Sequence, residues 1–146
     1  MIAVQFDTPV DAPPQVIGFE LGHISLVWDG GAHRSRQLGS RGLSMVYLVA
    51  ADMLNGVVTL LAHPDASYML TSTASGWGFA VRRTRRHGLR LSTPAGRPLC
   101  RVSEANYAAA VWRGTDALLA AGTPIDGGPL ADLQSAIAAF PDVFQR

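Results

Sequence analysis

Seven arginines fall between Asp65 and Glu104, an interval with no acidic residue: Arg82, Arg83, Arg85, Arg86, Arg90, Arg97 and Arg101. Five of them surround His87-Gly88, a dipeptide that reads as a turn between two short strands. At the tip of such a hairpin, Arg82, Arg83, Arg85, Arg86 and Arg90 project together, with His87 among them. A guanidinium is planar, permanently charged and rich in donors. A cluster of them takes phosphates bidentately or receives an acidic protein surface. The expected partner-binding residues are therefore Arg82, Arg83, Arg85, Arg86, His87 and Arg90. Nucleic acid would need interleaved aromatics for stacking, or a helix or ribbon that fits a groove. Trp77 and Phe79 lie on the same strand but alternate onto its core side. The same charges would also suit a solvated sheet edge that deters strand-to-strand aggregation.

Other chemistry finds less support. The histidines are His23, His33, His63 and His87, and no pair has the i, i+4 helical spacing of a zinc site. Cys100 has no sulfur partner and sits in a strand-like context, which suits a small buried apolar residue better than a nucleophile. There is no G-x-S-x-G elbow, and Gly76-Trp77-Gly78 lacks the helix and lysine of a phosphate loop. Only Glu20 and Glu104 are glutamates, so paired carboxylates for acid–base work are scarce. Asp52 is the one carboxylate expected near a core, where desolvation would raise its pKa. An enzyme would have to draw on His23, Asp52 or Cys100. No metal and no cofactor is expected.

These residues need a scaffold, and the stretch best suited to organise one is Leu43 to Ala62. It carries a single charge, Asp52. Leu43, Val46, Ala50, Met53, Val57 and Leu60 recur at three- and four-residue steps, with Tyr47, Leu54 and Leu61 widening the stripe. The spacing predicts a helix of about five or six turns. Met45, Leu48 and Val49 make its first half apolar nearly all round, which implies burial on more than one side. Ser40 is the expected N-cap, and His63-Pro64 ends the helix, because the residue before proline avoids the helical region. Two rivals remain. A membrane span would hold Asp52 at its centre, at a cost of roughly 2.5–3.5 kcal/mol. A split at Asn55-Gly56 would make Val57 to Ala62 a strand.

Period-two alternation marks the strands. Ile2, Val4 and Phe6 form the first. Asp11 to Pro14 reads as a turn. Ile17, Phe19 and Leu21 share one face, then Ile24, Leu26 and Trp28 share another, one residue out of phase. A bulge at Gly22-His23, or two short strands, would absorb the slip. Asp29-Gly30-Gly31 is a turn, and Ala32 to Arg41 an exposed loop or weak edge strand. A meander of about four strands follows. Tyr68 and Leu70 mark the first, Trp77, Phe79 and Val81 the second, Leu89 and Leu91 the third, and Leu99 to Val102 the last. Ser103 caps a helix whose inner face is Tyr107, Ala108, Val111, Trp112, Leu118 and Leu119. After a loop from Gly122 to Gly128, Pro129 opens a last helix with Leu130, Leu133, Ile137 and Phe140 as its stripe.

The order of elements predicts an α+β fold. An antiparallel sheet of about six strands packs against a central hydrophobic helix and two C-terminal helices, as one domain over residues 1–146. A hydrophobic content of 48% with 16% charged residues is that of a globular chain. All 12 basic residues are arginine and none is lysine, which is best explained by GC-rich coding. A net charge of +1 supplies no global field toward nucleic acid. The single cysteine and the lack of a secretory signal suit the cytoplasm. In size and layout the chain resembles small bacterial immunity or inhibitor proteins. That resemblance carries no motif and assigns no residues. The expectation for function is a non-enzymatic protein that binds a macromolecule, as an inhibitor or immunity factor engaging an acidic protein surface through the arginine-rich hairpin. The alternatives are nucleic-acid binding through the same hairpin and an enzyme of unknown type.

Overall fold

The core is built around the central helix, α1 (Val46–Ala62). Ten of its residues are buried, from Val46 to Leu60, and only Asp52, Asn55, Thr59 and Ala62 are exposed. The helix runs unbroken through Asn55-Gly56, so the split at that dipeptide does not occur. Gly56 answers to packing instead. A Cβ there would stand 2.5 Å from the ring of Tyr68, which lies directly over the helix. The helix begins later than the sequence suggests. Ser40 is not its cap; it lies in a 3-10 helix over Ser35–Gly42, and Ser44–Met45 is extended and paired to a strand. The helix ends at Ala62, with His63 extended before Pro64, as expected.

The computed structural model describes residues 1–7, 20–72, 75–84, 88–122 and 127–145. Within them the class is α+β with antiparallel sheets. The strands number eight in two four-stranded sheets, rather than about six in one. The first sheet holds β1 (Ile2–Asp7), β2 (Leu21–Trp28) and β3 (Gly31–Arg34) in that order, with β4 (Ser44–Met45) also paired to β2. The two extra strands come from the segment between Gly31 and Met45, where few apolar residues signal burial. The β1–β2 register is continuous from Ile2↔Trp28 to Asp7↔His23, with no bulge at Gly22-His23. The phase slip is absorbed by exposing Leu21 and by a change of partner, since Leu21 and Gly22 pair with Met45 and Ser44. Ile17, Phe19, the Asp11–Pro14 turn and most of the Gly122–Gly128 loop lie outside the described residues.

The second sheet is a meander of β5 (Ser67–Thr71), β6 (Gly78–Arg83), β7 (Gly88–Ser92) and β8 (Pro98–Ser103). Leu70, Phe79, Val81, Leu89 and Leu91 are fully buried on its inner face. They join the cluster that includes Met53, Leu54 and Val57 of α1. α2 (Glu104–Ala121) is capped by Ser103, whose Oγ accepts from the Asn106 N–H at 3.1 Å. It crosses β1 so closely that a Cβ on Gly114 would stand 2.6 Å from the Val4 carbonyl oxygen. α3 (Gly128–Ala139) starts with Pro129 in its first turn and packs on α1. No helix among the described residues is long and apolar enough to cross a membrane.

Candidate functional site

Strand alternation sends neighbouring arginines to opposite faces. On β6, Phe79, Val81 and Arg83 point inward, while Ala80 and Arg82 point outward. Arg83 is mostly buried. Its guanidinium donates to the carbonyl of Leu60, in the last turn of α1, and pairs with Glu104, in the first turn of α2. It therefore gives a donor to one of the orphan carbonyls of a helix end and ties three elements together. In the folded chain this side chain is an internal clamp.

Arg82 and Arg90 form a row on the outer face. Arg82 lies directly opposite Arg90 on β7, and Arg90 directly opposite Arg101 on β8. All three are exposed, and among the described residues none is in an ion pair. Arg101 joins this row, although the sequence singled out only Arg82 and Arg90 among its members. A register shift between Leu91 and Ser92 puts Pro98, not Leu99, opposite Ser92 and thereby aligns Arg101 with Arg90. Arg85, Arg86 and His87 fall in the β6–β7 connection and lie outside the described residues.

The next outward row, two residues along each strand, is Met69, Ala80, Ser92 and Pro98. Short side chains at Ala80 and Ser92 leave a shallow concavity of about 270 Å³, bounded by Met69, Arg82, Arg90, Gly96 and Pro98. A second, wider concavity lies where the α1–β5 loop meets β6. Asp65 lines it together with Arg82 and Arg83 but pairs with neither.

The residues an enzyme would use are on three separate elements. His23 Nδ1 is 3.0 Å from Ser35 Oγ on the first sheet, and burial pushes its pKa down. Asp52 is exposed on α1, its carboxyl raised by partial desolvation, and its backbone carbonyl accepts from the Tyr68 hydroxyl at 2.9 Å. Cys100 is half-buried opposite Leu91, and burial pushes its thiol up, away from the thiolate. No hydrogen bond joins any two of the three. No group of three His, Cys, Asp or Glu side chains that could hold a metal comes together among the described residues.

His33, which the sequence left unassigned, sits where the two sheets meet. Its ring stacks on Trp77 with centroids 4.8 Å apart, and Nε2–H donates to the Gly78 carbonyl at 2.8 Å. Nδ1 is buried without a partner, and desolvation holds the ring's pKa below its ordinary value. Comparison with protein-family models, curated proteins and solved structures finds no match.

Proposed function

We propose that this is a binding protein that docks an acidic protein surface on the outer face of the β5–β8 sheet, with Arg82, Arg90 and Arg101 as its principal contacts. One observation carries the reading: three exposed arginines occupy directly opposed positions on three hydrogen-bonded strands, and among the described residues none of them is in an ion pair. Like charges directly opposite on a sheet destabilise it. Carboxylates from a partner would relieve that repulsion. A guard against aggregation explains the row less well, because such charges belong on edge strands. Arg82 and Arg90 lie on β6 and β7, the interior strands of their sheet, and only Arg101 lies on an edge strand, β8.

Nucleic acid is the weaker alternative. The outer face carries Ser67, Met69, Thr71, Ala80 and Ser92 beside the arginines, whereas the rings of Tyr68 and Phe79 face inward. Stacking platforms are what single-stranded nucleic acid rewards. Inhibition or immunity, in which the arginine face masks an acidic surface of another protein, is the finer form of the same reading.

The test is fluorescence anisotropy with a labelled glutamate-rich peptide and a labelled single-stranded oligonucleotide. Both are titrated with the protein and with the Arg82→Glu/Arg90→Glu variant. The peptide should bind, weaken with added salt, and lose about tenfold or more in affinity to the variant. Unchanged binding by the variant would overturn the proposal. A tighter, arginine-dependent oligonucleotide complex would replace it with the nucleic-acid reading.

A further inference from the structure

The two outward rows have a geometry that selects among acidic partners. Arg82, Arg90 and Arg101 sit on successive strands, and neighbouring strands are about 4.8 Å apart. One turn of an α-helix rises about 5.4 Å, so glutamates one turn apart meet one arginine each. An extended partner presents same-face residues about 6.7 Å apart, and each strand of a DNA duplex advances about 3.4 Å along the helix axis per phosphate. Neither spacing follows the row. The second row, with Ala80 and Ser92 as its floor, runs parallel to the first at two residues' distance, about 6.7 Å. A helix about 10 Å across can lay one stripe on each. The second row carries apolar side chains at its ends, with Met69 55% exposed at one and Pro98 exposed at the other, and the concavity over Ala80 and Ser92 lies between.

We infer that the partner segment is an amphipathic α-helix laid across β6, β7 and β8. Its glutamates or aspartates, one turn apart, sit on Arg82, Arg90 and Arg101, and an apolar side chain from the adjacent stripe fills the concavity over Ala80. Asp65, near Arg82, sets the limit of the acidic stripe, which starts over β6 and not β5. The inference rests on the proposed arginine-face reading and adds the partner's shape and its apolar anchor. Ala80 becomes a specificity-determining residue, because any larger side chain there fills the space the anchor needs.

The test uses three labelled peptides of equal charge. The first is a helix former with glutamates one turn apart and leucines on the adjacent stripe. The second is the same peptide with a central proline. The third replaces the leucines by serine. Each is titrated with the wild-type protein and with the Ala80→Phe and Arg90→Glu variants. Ala80 faces outward, so Ala80→Phe should keep the wild-type near-UV circular dichroism. The first peptide should bind tightest, with about tenfold lost on adding proline and about tenfold on removing leucine. Ala80→Phe should weaken the first peptide to the level of the third and leave the third unchanged. If proline or Ala80→Phe changes nothing while Arg90→Glu still weakens every peptide, the helix and its anchor are wrong and the arginine face stands. If Arg90→Glu changes nothing, the arginine face itself is wrong.

Discussion

On the inner face of the β5–β8 sheet, Arg83 is mostly buried, paired with Glu104 and bonded to Leu60. On the outer face Arg82, its neighbour in the chain, is exposed beside Arg90 and pairs with no described residue. One residue type in one strand thus meets two environments, and its effect on stability follows from the environment. A buried cation loses its hydration and must be repaid by partners at hydrogen-bond distance. An exposed one keeps its water, so opposing three of them across a sheet costs far less than leaving one buried without a partner.

The largest effects should come from the side the inner face packs on. Met53 of α1 is fully buried, and Met53→Asp places an unpaired charge in the core. Circular dichroism should show the variant unfolded at 25 °C, since the cost is on the order of the whole stability. Arg83→Ala comes next. It strands Glu104 mostly buried and frees the Leu60 carbonyl, and should lower the urea-unfolding free energy by about 3 kcal/mol.

Smaller, and dependent on pH, is the contribution of His33 at the junction of the sheets. Burial lowers its folded-state pKa, so the unfolded chain binds the proton more readily. The stability should therefore be fully present above about pH 6.5 and fall as the pH drops below it. His23 is lowered in the same sense, so His33→Gln should flatten part of the decline in thermal midpoint between pH 7 and pH 5 (about the range where histidine titrates). A variant with the full wild-type decline would remove His33 from the junction's energetics. The smallest effect belongs to the outer face. Arg90→Ser should leave stability within about 0.5 kcal/mol, or raise it by a few tenths, as cross-strand repulsion is relieved.

The inner face was largely legible in the sequence, because burial writes itself as periodicity. From Val46 to Leu60 the three- and four-residue steps of α1, and the alternation through Phe79, Val81, Leu89 and Leu91, reappear as buried residues, whereas Leu43 precedes the helix and is half-buried. The first sheet was less legible. β3 and β4 are short, and β4 is made by pairing with Leu21 and Gly22 rather than by any local preference. The outer face was legible only as a cluster of charge. That Arg82 and Arg83 part company follows from alternation alone. That Arg101 joins Arg82 and Arg90 depends on one register shift at Leu91/Ser92, which no residue type announces. The clamp between Arg83 and Glu104 spans elements that only the tertiary fold brings together, so the spacing along the chain carried no sign of it.

On the proposed reading the outer arginines receive the partner while the inner one does not. Nuclear magnetic resonance of the arginine Nε–Hε groups, recorded as the glutamate-rich peptide is added, reads both faces in one titration. The resonances of Arg82, Arg90 and Arg101 should move together and saturate at one affinity, with Arg83 stationary. Movement of Arg83 with the outer three stationary, or no arginine shift at saturating peptide, would contradict it.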